Sequence, residues 1–184
     1  FVAALEKATG KTRWLTKRTY KSGQEPPKSK PNDNRKSYAT PTIIEHKGRK
    51  QLISPAAEAT YSYDPSTGKE LWFIRHGRGF GYNVTCRPIY RHGLVFTNSG
   101  ISKNLFAIDP SGSGDVTDTH IRWTTRRGVP NIPAPLVVGD NLYMISDSGG
   151  MVSCLDAKTG KQLFQERLGG IQTHWVSPVC ADGK

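Results

Sequence analysis

The sequence has few cysteines, a shortage of acidic side chains and no long apolar run. Its three cysteines, Cys86, Cys154 and Cys180, cannot all pair and form neither a Cys-x-x-Cys nor an adjacent pair. We therefore expect them to be small buried thiols. No stretch approaches the ~20 apolar residues of a membrane-spanning helix, which argues against membrane insertion. These residues contain no signal-peptide pattern either.

Positive charge is in excess, with 26 Lys and Arg against 15 Asp and Glu and a formal net charge of +11. Such a surplus favours anionic partners. Much of it lies in a Pro-rich basic loop over residues 17–38, which includes Lys28 and Lys30. This loop is a candidate docking site for an acidic partner, although its composition favours a disordered surface insertion. Nucleic acid is a disfavoured partner, because no aromatic residues alternate with the charge.

Glycine and proline are abundant, with 19 and 12 residues in a chain of 184. They argue against long helices and for many short strands joined by turns. A chain of this length normally forms one domain, or at most two.

A first internal repeat consists of a proline, a short apolar run, a glycine and a second apolar run. Its prolines are spaced by 47, 47 and 43 residues, and its glycines follow at similar intervals. The prolines are Pro41, Pro88, Pro135 and Pro178, and the glycines are Gly48, Gly93, Gly139 and Gly183. Units of ~45 residues that hold four short β-type runs have the size of a propeller blade.

A second repeat follows the first and reads acidic residue, two residues, Thr-Gly, three residues and an aromatic residue. The acidic residue is expected to accept hydrogen bonds from turn amides, and the glycine to adopt a positive φ. The aromatic residue falls in the fourth strand, where its ring would pack on the neighbouring blade. The copies comprise Glu6, Gly10 and Trp14; Asp64, Gly68 and Trp72; Asp156, Gly160 and Phe164; and a degraded copy with Asp109, Trp123 and about six extra residues between them.

These repeats predict an all-β fold, namely a β-propeller fragment of four-stranded antiparallel blades. Three full blades and a partial blade at each end are expected, at residues 1–16, 39–75, 84–125, 134–166 and 174–184. The chain is then about half of a larger propeller, or its ring is completed by a second copy, because an open ring would expose strand edges.

The motif Ala-x-Asp-x-x-Thr-Gly-x-x-x-Trp resembles the tryptophan-docking motif of the pyrroloquinoline-quinone (PQQ)-type β-propeller repeat. The match is close at Ser62–Trp72, has Glu6 in place of Asp at Ala4–Trp14, and has Phe164 in place of Trp at Cys154–Phe164. The sequence style is similar to BamB-like and quinoprotein-dehydrogenase-like propeller proteins of planctomycete-type bacteria. The resemblance implies seven or eight blades, and it specifies the fold far better than the function.

No catalytic constellation accompanies the repeat. The resemblance implies that a quinone-dependent dehydrogenase of this family would have a central calcium site, a catalytic Asp, a Trp beneath the quinone and an adjacent Cys-Cys. This sequence has no adjacent Cys-Cys. The five histidines show no metal-ligand spacing, and His46 and His92 are expected at surface turns. The glycine-rich stretch 77–81 is expected to be a linker between blades. The basic residues around it are a candidate binding surface, namely Arg75, His76, Arg78 and Arg87.

The sequence therefore favours a non-enzymatic scaffold or binding module without a cofactor, which holds a protein partner. The resemblance implies a periplasmic or cell-envelope location. The alternatives are a fragment of a PQQ- and calcium-dependent dehydrogenase, or the sensor domain of a larger kinase-type protein.

Overall fold

The computed structural model describes residues 1–19, 36–76, 84–170 and 173–182. Fifteen strands dominate them, accompanied by a 3-10 turn at Gly100–Ser102 and the one-turn helix α1 at Thr117–His120. The strands are β1 (Val2–Leu5), β2 (Thr12–Thr16), β3 (Thr42–His46), β4 (Arg49–Pro55), β5 (Ala59–Tyr63), β6 (Glu70–Arg75), β7 (Ile89–Arg91), β8 (Leu94–Asn98), β9 (Leu105–Ile108), β10 (Gly114–Asp115), β11 (Ile121–Thr125), β12 (Leu136–Val138), β13 (Asn141–Ile145), β14 (Met151–Asp156) and β15 (Gln162–Arg167).

The strands form four sheets that are mainly antiparallel meanders, and this confirms the predicted propeller blades. Blade 1 contains β1 and β2, blade 2 contains β3 to β6, blade 3 contains β7, β8, β9 and β11, and blade 4 contains β12 to β15. Hairpin turns alternate between the two ends of such a meander. Each blade has a lower end, which we define as the end that carries the turn between its first and second strands and the turn between its third and fourth strands. The opposite end, with the remaining turns and the connections between blades, is the upper end.

Apolar side chains from neighbouring blades pack together to form the core. One cluster joins blades 2 and 3 through residues such as Ile53, Trp72 and Ile108, and a second joins blades 3 and 4 through Phe96 and Leu142. Each blade therefore depends on its neighbour to cover an apolar face, as expected of a repeat architecture.

Two lower turns explain why glycine recurs at a fixed position in the repeat. Lys47-Gly48 and His92-Gly93 are two-residue hairpin loops, with φ values of 51° and 76° in the first and 52° and 74° in the second. Two successive positive φ values are the geometry of a type I′ turn, whose twist matches that of the flanking strands.

The insertion in the degraded repeat has a structure that the sequence did not predict. The sequence indicated only about six extra residues between Asp109 and Trp123, but β10 pairs in parallel with β6 and adds a fifth strand to blade 2. The Val116 amide donates to the Phe73 carbonyl, and the Arg75 amide donates to the Thr117 hydroxyl. The insertion of blade 3 therefore covers the outer edge of blade 2.

The chain beyond blade 4 also differs from expectation. A partial blade was predicted over residues 174–184, but the structure shows no strand in the described residues 174–182, and Thr173 pairs with Ser148 in an isolated bridge. Phe164 is 40% exposed, on the face of blade 4 that points away from blade 3.

Candidate functional site

In the turns between third and fourth strands, the acidic residues of the repeat accept hydrogen bonds from amides of the same turn. The Asp64 carboxylate accepts from the amides of Ser66 and Thr67, and the Asp156 carboxylate accepts from those of Lys158 and Thr159. Hydrogen bonds from Ser66 lower the pKa of Asp64, and hydrogen bonds from Thr159 lower that of Asp156. Both carboxylates therefore organise turns.

Glu6 occupies the equivalent position in blade 1. Its amide donates to the Lys11 carbonyl and its carbonyl accepts from the Gly10 amide, which are the same backbone bonds that surround Asp64 and Asp156. Its carboxylate accepts from the Thr9 hydroxyl. The longer glutamate therefore fits the same turn.

Trp14 and Trp123 dock on the lower turn of the following blade. The Trp14 indole N–H donates to the Pro65 carbonyl at 3.0 Å, and the Trp123 indole N–H donates to the Ala157 carbonyl at 3.1 Å. The rings lie over Gly68 and Gly160, where an added Cβ would come within 2.5 Å and 2.6 Å of them. The glycine thus provides both the turn geometry and the space for the ring.

Trp72 makes an indirect version of this contact, because the next turn carries the insertion. Its indole N–H donates to Gln51 Oε1 at 2.8 Å, and Gln51 Nε2 donates to the Pro110 carbonyl at 2.9 Å. Gln51 Oε1 also accepts from the Ser62 hydroxyl. The buried Gln51 amide therefore bridges blades 2 and 3, and sequence reasoning did not identify it because it lies outside the motif.

Two histidines at equivalent lower turns also join blades. His46, expected at the surface, is buried, with Nδ1 3.0 Å from the Tyr90 hydroxyl and Nε2 3.9 Å from the Asp109 carboxylate. His92 Nε2 lies 2.8 Å from the Gly139 carbonyl and 3.3 Å from Asp140.

Asp109 is further fixed by its own blade, through hydrogen bonds from Ser111 and Arg122. Although partial burial opposes ionisation, these bonds lower the pKa of Asp109 to about 2. The carboxylate that faces His46 is therefore charged at neutral pH.

The residues predicted as a basic binding surface have different environments. Arg75 pairs with Asp115 and Asp118 of the insertion, whereas Arg87 is exposed and donates to the Thr42 hydroxyl. His76 does not contribute to a surface, because it is buried beneath a stacked Phe106 ring. The remaining three predicted residues lie outside the described residues, namely Arg78, Lys28 and Lys30.

His76 should make stability depend on pH. Burial lowers its pKa from 6.5 to about 4, and the neutral ring bonds the Thr60 hydroxyl and the Ala57 carbonyl. The unfolded chain takes up the proton near pH 6.5, so the contribution of this group to stability falls between pH 6.5 and pH 4, by about 3 kcal/mol in total.

The measurement is the free energy of unfolding in urea for the wild type and His76→Gln across this pH range. The advantage of the wild type over the variant should shrink as the pH falls. Parallel curves for the two proteins would show that the buried imidazole does not have this pKa.

The first strands of blades 2, 3 and 4 converge on a cavity of about 550 Å3. Its wall combines aliphatic residues with a few polar groups, among them Thr42, Glu45, Arg87 and Tyr90, and Ser177 and Pro178 complete it. Because the innermost strand of each blade lines it, this cavity marks the central axis of the propeller.

The cavity wall does not fit a calcium–quinone pair. Glu45 is the one carboxylate among the lining residues, and none of them is a tryptophan. Calcium prefers six to eight oxygen ligands, with several from carboxylates. Across the residues that the structure describes, no group of three or more His, Cys, Asp or Glu side chains is placed to hold a metal ion.

All three cysteines lie among the described residues, and none forms a disulfide. Cys86 and Cys154 are buried free thiols as expected, but Cys180 is exposed. Burial raises the pKa of Cys86 to about 11, so it is protonated at neutral pH. None of the helices in these parts of the chain is long and apolar enough to cross a bilayer.

The repeated four-stranded sheets and the tryptophan docking define a β-propeller of the PQQ-like repeat class. The family described as outer membrane protein assembly factor BamB matches residues 1–179, and the chain belongs to this family. No curated protein sequence matches the chain.

Solved structures agree on the fold. The chain is similar to BamB from Moraxella catarrhalis, with a TM-score of 0.54, 16% identity and coverage of 78% of this chain and 42% of that one. It is also similar to a quinohemoprotein alcohol dehydrogenase from Comamonas testosteroni, with a TM-score of 0.53, 19% identity and coverage of 72% of this chain and 21% of that one. A europium-containing methanol dehydrogenase matches with a TM-score of 0.52, 16% identity and coverage of 71% of this chain and 24% of that one. Identities this low show the fold alone, and the chain spans less than half of each of these proteins.

Proposed function

We propose that this chain is part of a non-enzymatic propeller scaffold that holds a protein partner in a bacterial cell envelope. Its membership of the BamB family over residues 1–179 carries the proposal. The family is named for outer-membrane protein assembly, which supports a partner and a location in the cell envelope.

The chemistry of the described residues supports a scaffold over an enzyme. The acidic residues of the repeat order turns, the tryptophans join blades, and the wall of the axial cavity has a single carboxylate where calcium prefers several. Several exposed charged residues lie at turns, among them Lys47, Asp140 and Lys158, and turns are where a propeller presents residues to partners.

The test uses the intact native protein in its own cells. A short chemical cross-linker applied to the envelope fraction should yield one discrete adduct with a protein partner in constant stoichiometry. The purified protein, incubated with PQQ and calcium and then separated from unbound PQQ, should retain no quinone absorbance and should not reduce a dye with alcohols. Calcium-dependent dye reduction would overturn the proposal in favour of a dehydrogenase fragment.

A further inference from the structure

Four basic side chains lie at the upper end of blades 3 and 4. We call them the upper basic cluster: Lys103, Arg126, Arg127 and Arg167. Lys103 lies in the turn between β8 and β9, the two adjacent arginines follow β11, and Arg167 ends β15. The three arginines are exposed and Lys103 is partly exposed.

Lys103 reaches across from blade 3 to blade 4. Its φ of 53° is left-handed, which an L residue with a long side chain rarely adopts. Its Nζ lies 3.5 Å from the Asp147 carboxylate. The Asp147 carboxylate also accepts hydrogen bonds from the backbone amides of Asn131 and Ile132, in the connection between blades 3 and 4, at 2.7 and 2.8 Å. The carboxylate therefore fixes the connection between blades and neutralises at most one of the four cations.

Arg126 and Arg127 begin the connection between blades 3 and 4, and this connection contacts both blades. Arg126 Nη2 is 3.4 Å from the Ser102 carbonyl, in the turn that carries Lys103. Gly128 packs so closely on blade 4 that an added Cβ would lie 2.8 Å from Gln165 Nε2. Arg167 is two residues beyond Gln165 and so lies on the same face of β15.

The arginines are not neutralised locally. Among the residues that the structure describes, Arg126, Arg127 and Arg167 form no ion pair with a carboxylate. Glu166 precedes Arg167 but lies on the opposite face of β15, which is the face of Phe164. The cluster is thus a local excess of positive charge on a rigid blade junction.

We propose that the upper basic cluster binds an acidic segment of a protein partner. Guanidinium groups bind carboxylates through paired hydrogen bonds, and converging cations also speed the encounter with a negatively charged chain. This inference rests on the proposed scaffold function, and it specifies the surface and the chemistry of the partner.

The first experiment measures binding of the intact protein to a fluorescent peptide of alternating aspartate and alanine. Arg126→Gln/Arg127→Gln/Arg167→Gln should weaken binding about tenfold, since three exposed ion pairs of about 0.5 kcal/mol each are lost. The matched control is Arg49→Gln/Lys50→Gln/Arg91→Gln, which removes the same charge from exposed residues at the lower end. The control should retain wild-type affinity at physiological salt.

Three outcomes would overturn the inference. The peptide could fail to bind, the control could lose as much affinity as the upper variant, or single-stranded DNA could bind the cluster more tightly than the peptide. All the substituted side chains are exposed, and a urea unfolding curve establishes that both variants are folded.

The envelope cross-linking experiment separates this inference from the scaffold function. The upper variant should lose the partner adduct, and the lower variant should keep it. If the upper variant keeps the adduct, the inference about this surface fails while the scaffold function stands. If the wild type gives no adduct, the scaffold function itself fails.

Discussion

Replacing Gly160 by alanine is expected to lower the free energy of unfolding by about 3 kcal/mol, the sum of two costs. Gly160 has a φ of 73°, and an added Cβ would lie 2.6 Å from the Trp123 ring. The left-handed conformation costs an L residue about 1 kcal/mol or more, and overpacking against a fixed ring adds about 1 to 3 kcal/mol. Urea unfolding measures the loss.

Gly10 provides the matched control for this substitution. It occupies the same turn of the repeat, with a φ of 72°, but an added Cβ meets no atom within 4 Å. Gly10→Ala should therefore cost only the backbone term of about 1 kcal/mol. Equal losses at the two sites would show that ring docking contributes nothing to the requirement for glycine.

Replacing Gln51 by leucine should cost about 4 kcal/mol, although leucine has a similar size. The substitution leaves the Trp72 indole N–H, the Ser62 hydroxyl and the Pro110 carbonyl without their partner in a buried region. Each buried polar group left unpaired costs about 1 to 3 kcal/mol, and partial rearrangement reduces the sum. The free energy of unfolding in urea is again the measurement.

A double variant distinguishes the hydrogen-bond network from simple packing. Trp72→Phe removes the indole N–H, so adding it to Gln51→Leu should cost less than the sum of the two single substitutions. Strict additivity would contradict the bridge through Gln51. Ser62→Ala removes one contact of the same network and should cost about 1 kcal/mol.

The blades were predictable because their signals are local and periodic. The first turn of each full blade carries a glycine at intervals of 45 and 46 residues, and β12 to β15 occupy residues 136–167, close to the predicted blade at 134–166. A hairpin needs only its own turn residues and alternating side chains to be specified. For the same reason, the Asp-x-x-Thr-Gly turns could be read without knowing their neighbours.

The insertion was not predictable in the same way. Its residues Pro110 to Thr119 resemble a long polar turn, and only the adjacent blade provides the strand edge on which β10 forms. Its pairing with β6 joins residues about 40 positions apart, which no local pattern specifies. The ion pairs of Arg75 with Asp115 and Asp118 depend on this pairing, so the sequence did not predict them.

The sequence by itself determined the repeat, the fold class and the family, because each blade repeats the same turn chemistry and strand alternation. Only the tertiary structure decided which side chains are buried between blades and which remain available. His76 and His46 became interior residues, Gln51 became a bridge, and Lys103 paired with Asp147 of the next blade. The physical reason is that burial and charge density depend on which blades lie side by side, and that arrangement is set by packing across the chain.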